Sequence, residues 1–166
     1  MTVLKTGDIA PIFILNAANA DSTEQTISLV ALRGQWVVLY CYPKDDTSGC
    51  TVEAQDFTAL KQEFDALKVA VFGLSPDSIA KHHKFIKKYA LNIPLLSDEE
   101  KTTLCAYGVW IEKNMYGRKY MGVERSTFLI DPEGKIAQLW SKVSVPNHAN
   151  AVLSAVRQHI GQCSTS

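Results

Sequence analysis

At 166 residues the chain is long enough to fold as a single domain, 1–166, around a full core without disulfide or metal staples. Hydrophobic residues make up 46% and charged residues 20%, with Lys+Arg and Asp+Glu at 17 each, so no net field draws it to nucleic acid or to an anionic membrane. No run approaches the roughly 20 apolar residues of a membrane span, and Met1 to Asp8 lacks a basic-then-apolar leader, which makes the cytoplasm the expected compartment.

In chain order, Ile9 to Leu15 is apolar and reads as a first strand, Ala17 to Gln25 as a hairpin loop, and Thr26 to Val30 as the returning strand. Trp36 to Tyr42 is apolar on both faces, which predicts a central strand covered on both sides. Pro43 ends it, because proline cannot donate to a ladder. From Thr51 to about Lys68 the positions Ala54, Phe57, Leu60 or Lys61, and Phe64 recur at helical spacing, with Glu53, Gln55, Asp56 and Gln62 largely off that stripe. Val69 to Leu74 reads as a second buried strand. Ser75 as N-cap and Pro76 at the first helical position open a helix to about Tyr89. Its basic face carries Lys81, Lys84, Lys87 and Lys88, and His82-His83 reads as solvated surface.

Ile93 to Leu96 is a short strand, and Ser97-Asp98 caps a helix from Glu99 to Tyr107. Gly108 to Glu124 shows no clear period and reads as loop with room for short strands. Ser126 to Asp131 and Lys135 to Val143 form a hairpin around Asp131-Pro132-Glu133-Gly134, a sequence with turn chemistry. His148 to Ile160 is the last helix, with Ala151, Leu153, Val156 and Ile160 as its buried side. Parallel crossovers followed by an antiparallel hairpin predict an α/β fold, a three-layer sandwich with a mixed central sheet flanked by helices.

The cysteines are Cys41, Cys50, Cys105 and Cys163. None stands in C-x-x-C spacing, and none completes a metal site with His82, His83, His148 or His159, so no metal is expected. Cys50 is the distinctive one. It sits between a buried strand and the first turn of a helix, where free N–H groups and the helix dipole favour a thiolate over a thiol. Gly49 lets a small substrate approach the backbone beside the sulfur, and Thr47 is placed to face it across the first turn.

Pro43, Thr47 and Cys50 match P-x-x-x-[TS]-x-x-C, and the stretch Tyr42 to Thr51 resembles the peroxiredoxin Q, or bacterioferritin comigratory protein, subfamily of peroxiredoxins. The likeness extends through Gly7-Asp8, Ala10-Pro11, Gly73 to Asp77, Tyr107 to Trp110 and Arg125 to Asp131. It implies a thioredoxin-like fold and a cofactor-free, thiol-dependent peroxidase acting on hydrogen peroxide and organic hydroperoxides. Cys50 would be the peroxidatic nucleophile and pass through a sulfenic acid. Thr47 and the N–H groups of Gly49 and Cys50 would hold the peroxide, and Pro43 would shield the thiolate. Arg125 would stabilise the charge, with Glu53 orienting it. Thioredoxin, glutaredoxin or a low-molecular-weight thiol would be the reductant, and the protein a monomer or weak homodimer.

Two departures matter. Ser48 stands where many members have proline, and Gln55 stands where many have the resolving cysteine, five residues after the peroxidatic one. The helix toward Tyr89, the other resolving position, has no cysteine either. Three routes stay open: an external thiol, Cys163 in the polar tail, or Cys105, which its apolar helical neighbours mark as buried. Cys41, inside the central strand, reads as core. Trp110 and Tyr116 are candidates for lining the route to Cys50. A disulfide reductase of the same fold would need a vicinal dithiol, which the chain lacks; a redox sensor would react at Cys50 without turning peroxide over.

Overall fold

The strand from Trp36 to Cys41 lies at the middle of the sheet because neither of its faces tolerates water. Val38 and Tyr40 point to one side, Val37, Leu39 and Cys41 to the other, and all five are at most 1% exposed. The computed structural model describes residues 4–164. The chain forms β1 (Ile14–Ala18), β2 (Glu24–Ser28), β3 (Trp36–Cys41), α1 (Ser48–Ala59), α2 (Lys61–Ala66), β4 (Val69–Ser75) and α3 (Ile79–Tyr89). It continues as β5 (Leu95–Ser97), α4 (Thr102–Ala106), β6 (Trp110–Met115), β7 (Arg118–Val123), β8 (Ser126–Ile130), β9 (Ile136–Trp140) and α5 (His148–Ser164).

Seven strands form the main sheet in the order β2-β1-β5-β4-β3-β8-β9. β3, β4 and β5 run parallel, joined by the crossovers α1-α2 and α3, while β8 and β1 flank them antiparallel. One face is covered by α1, α2, α3 and α5 through Ala54, Phe57, Phe64, Phe85, Val152 and Val156. The other is covered by α4, through Leu104, with Phe13, Tyr107 and Val123. This is the expected three-layer α/β sandwich with a mixed sheet. Tyr40 stacks on Phe57 with ring centroids 4.6 Å apart, and this pair docks α1 on the sheet. Gly73 on β4 makes room for it, since a Cβ there would stand 2.8 Å from the Tyr40 ring.

Several boundaries differ from the sequence expectation, each for a local reason. The first strand begins at Ile14, beyond Pro11, and runs through Ala17 and Ala18, whose small side chains are wholly buried where β1 meets β5. Its partner is correspondingly Glu24–Ser28. The first helical segment starts earlier, at Ser48, and breaks at Leu60 into α1 and α2. α3 begins at Ile79 and is capped by Ser78, whose hydroxyl accepts from the Lys81 N–H; Ser75 ends β4 instead, and its hydroxyl donates to the Asp77 carboxylate while accepting from the Asp77 N–H. α4 is only Thr102–Ala106, although Asp98 does accept from a helix N–H, that of Leu104. The stretch read as loop is mostly the hairpin β6-β7, turning at Tyr116 and Gly117, which both have positive φ. The terminal hairpin has its expected turn but a shorter second strand, and Ala151 of α5 faces solvent while Val152 is buried.

Candidate active site

Cys50 is the third residue of α1 and is 1% exposed. The N-cap, Thr47, makes no side-chain cap, so it leaves first-turn N–H groups open to another acceptor. Arg125 immediately precedes β8, whose Ser126 pairs with Cys41 at the end of β3, and this register aims its guanidinium at the start of α1. Nη2 donates to Cys50 Sγ at 3.2 Å and Nη1 to Glu53 Oε1 at 2.6 Å. One planar fork therefore spans the sulfur and a carboxylate one helical turn away. Gly49 permits the approach, because a Cβ there would stand 3.2 Å from Arg125 Nη2.

Glu53 is 1% exposed, where the helical pattern had set it off the buried stripe; its ion pair with Arg125 is what allows a charged group there. Burial pushes its carboxyl up to about 7, against the pull of Arg125, and Oε2 is buried without a hydrogen-bond partner among the described residues. Burial would lower the Arg125 pKa, but the charges of Glu53 and Cys50 more than offset it and hold the guanidinium protonated. Lys113 on β6, which the sequence did not single out, is half-buried; burial, then repulsion from Arg125, lower its pKa, while Cys50 acts in the opposite sense.

Thr47 is exposed, and its hydroxyl donates to the Lys44 carbonyl at 2.9 Å rather than to the sulfur, so it shapes the loop ahead of Cys50. Pro43 is half-buried at the start of that loop. The loop is anchored from beneath by groups that sequence reasoning missed. His82, expected at the surface, is 0% exposed: Nδ1 lies 2.6 Å from Asp45 Oδ2 and Nε2 lies 2.9 Å from the Leu96 carbonyl oxygen. Tyr42 donates to the other Asp45 oxygen at 2.6 Å, and the Asp45 N–H donates to Asp77 at 2.8 Å. The signal was present, because His82 shares the 3–4 spacing of Ile79, Phe85 and Ile86. Asp46, at φ 60°, is held by Lys88 and Tyr89 of α3.

The remaining cysteines are not assembled with Cys50. Cys41 is buried core, and burial raises its thiol pKa well above the usual range. Cys105 is exposed rather than buried; Leu104 and Tyr107 fill the core and turn it outward. Its helix covers the sheet face opposite the one on which Cys50 packs. α5 begins near the site, where His148 meets Thr127 and Phe57, but His159 packs on Trp36 at the far end of β3. At about 1.5 Å per residue, the backbone of Cys163 lies about 22 Å along the helix from His148. Cys163 is thus in the last turn of α5 rather than in a polar tail, with its side chain outside the described residues. Tyr116 is fully exposed at the tip of the β6-β7 hairpin, and Trp110 stands at its base with Lys101 over the ring.

A family model described as AhpC/TSA family matches residues 6–139. The chain belongs to the AhpC/TSA family. Among its relatives, peroxiredoxin Bcp of Xanthomonas campestris is 44% identical over 153 residues, covering 92% of this chain and 94% of that protein. Peroxiredoxin Bcp of Bacillus subtilis is 44% identical over 133 residues, covering 80% and 85%. A Xylella fastidiosa PrxQ crystal structure, a cysteine-to-serine mutant, superposes with a TM-score of 0.86 at 36% identity, covering 96% of this chain and 99% of its own. A structure of the Xanthomonas campestris bacterioferritin comigratory protein, described for its alkyl peroxide reduction activity, superposes with a TM-score of 0.79 at 44% identity, covering 87% and 91%. The resemblance and the thioredoxin-like fold expected from Pro43 to Cys50 therefore hold, and this peroxiredoxin is a thiol-dependent peroxidase. Among the described residues no helix is long and apolar enough to cross a membrane.

Proposed function

We propose that this peroxiredoxin reduces hydrogen peroxide and organic hydroperoxides at Cys50, and that an external thiol, rather than Cys105 or Cys163, restores the cysteine. The observation that carries the reading is the Arg125 fork, 3.2 Å from Cys50 Sγ and 2.6 Å from Glu53. The thiolate attacks the terminal peroxide oxygen; an S–O bond forms, the O–O bond breaks, and the leaving oxygen takes a proton to become water or an alcohol. Arg125 stabilises the charge on sulfur and on the departing oxygen, Glu53 holds the guanidinium in place, and the open N–H groups of the first turn receive the substrate oxygens. Thr47 and Pro43 shape and cover the entrance. The alkyl peroxide reduction described for the Xanthomonas campestris relative supports organic hydroperoxides as substrates.

The external thiol is supported by distance. The sheet stands between Cys50 and the helix of Cys105, α5 carries Cys163 toward the far end of β3, and position 55 holds an exposed glutamine. Thioredoxin, glutaredoxin or a small thiol fits the role, and the cycle asks for no second subunit. The cytoplasm, rich in reduced thiols, is the compartment it requires. The test is peroxide consumption with added thiol, compared with Cys50→Ser. Equal rates reject the peroxidase reading. One equivalent of peroxide followed by non-reducing mass spectrometry should give sulfenic acid at Cys50, whereas a Cys50–Cys105 or Cys50–Cys163 disulfide rejects the external thiol.

A further inference from the structure

A groove of about 480 Å³ runs between the Pro43 to Thr47 loop and α3, and its charges do not balance. Lys44, Lys81, Lys84 and Lys88 border it beside the buried ring of Phe85. Three carboxylates border it as well, but each is already engaged within the protein. Asp45 is held by Tyr42 and His82, Asp77 by Ser75 and the Asp45 N–H, and Asp46 by Lys88 and Tyr89. Lys44, Lys81 and Lys84 are exposed, and none has a carboxylate within ion-pair distance among the described residues. The volume is that of a small-molecule site, for which about 300–1,000 Å³ is usual.

The groove is coupled to the reacting cysteine by the chain itself. Asp46 on its wall precedes Cys50 by four residues, which bounds their separation at about 14 Å even for a fully extended chain. Thr47, the N-cap of α1, is tied by its hydroxyl to the Lys44 carbonyl, so wall and catalytic turn are one piece. Hydrogen peroxide is neutral and gives three unpaired lysines nothing to recognise. The second half of the cycle uses two molecules of thiol per turnover.

We propose that this groove binds the anionic end of the regenerating thiol, a small thiol carrying carboxylates; the proposal rests on the external-thiol reading above. The bound thiolate attacks the sulfur of the Cys50 sulfenic acid. An S–S bond forms, the S–O bond breaks, and the leaving hydroxide takes a proton as water. A second thiolate then attacks the mixed disulfide at the sulfur of the first thiol, releasing the Cys50 thiolate and a small disulfide that carries the two electrons' worth of oxidation.

The test uses glutathione as the anionic probe, with neutral 2-mercaptoethanol and cationic cysteamine beside it, on the full chain and on the double variant Lys81→Glu/Lys84→Glu. Stopped-flow fluorescence reads reduction of the peroxide-oxidised protein by each thiol, and separately the oxidation of reduced protein by hydrogen peroxide. The expected result is about a tenfold fall in the glutathione rate constant. The 2-mercaptoethanol rate should be unchanged, the cysteamine rate raised, the peroxide step unaltered, and the glutathione rate should fall with added salt in the parent protein alone. An unchanged glutathione rate, an equal change for all three thiols, or an effect confined to the peroxide step overturns the proposal. If no thiol reduces the oxidised parent protein, the external-thiol reading itself fails, a result distinct from selective failure of the groove.

Discussion

Glu53→Gln tests whether the carboxylate beside Cys50 is held at an energetic cost. Glu53 is wholly buried, makes one short bond to Arg125, and leaves Oε2 unpartnered among the described residues, so burial raises its pKa from 4.5 to about 7. The folded state therefore binds a proton more tightly than the unfolded chain. The resulting stability is fully present below pH 4.5 and is lost as pH rises through 7. At about 1.4 kcal/mol per pH unit, the shift corresponds to about 3 kcal/mol. Glutamine keeps an acceptor for Arg125 and does not titrate. Urea unfolding at pH 4.5 and pH 8 should show the variant gaining about 3 kcal/mol on the parent between the two. His148 contributes a slope of the opposite sign in both proteins: burial first, then Arg125, lower its pKa from 6.5 to about 4, so its contribution falls away as pH drops through that range. Because that slope is common to both, it cancels in the difference. A difference between the two proteins that does not change with pH refutes the reasoning.

Arg125→Ala should slow peroxide attack by about a hundredfold or more with helix content unchanged by circular dichroism; a rate within threefold of the parent would remove the guanidinium from the reaction. Gly49→Ala separates stability from activity. The new Cβ would press on Arg125 Nη2 at 3.2 Å, so the peroxide rate should fall about tenfold while denaturant stability holds or rises by up to about 1 kcal/mol. Unfolding in step with the lost activity would contradict this. His82→Asn breaks the buried contacts of the ring with Asp45 and the Leu96 carbonyl and should cost about 3 kcal/mol by urea denaturation. A loss under about 0.5 kcal/mol would show that the network beneath the loop is not coupled to folding.

The elements most legible from the residues were those with a single dominant signal. Trp36 to Tyr42 announced a buried strand because every side chain in it avoids water, and Asp131 to Gly134 announced a turn because its residues suit only that geometry. The hairpin Trp110–Val123 was not legible, since charged residues and an exposed tip interrupt its alternation and only cross-strand pairing defines it. His82 and Glu53 were misplaced for a shared reason. Polar residues default to the surface, and only a partner distant in sequence, Asp45 or Arg125, makes their burial tolerable. Cys105 failed in the opposite direction, because apolar neighbours do not say which way a short helix faces.

The sequence by itself marked Cys50, a cysteine between a buried strand and the first turn of a helix, as a candidate nucleophile. The roles expected of Pro43, Thr47 and Arg125 came with the resemblance to peroxiredoxins, and Arg125 carries no local signal of its own. Tertiary structure alone decided what surrounds them. It brought Arg125 to the sulfur through the pairing of β8 with β3, put the sheet between Cys50 and the Cys105 helix, and led α5 toward the far end of β3. The physical reason is separation along the chain: which distant groups meet is set by strand register and by the face on which each helix packs, and neither is written in any one stretch of residues.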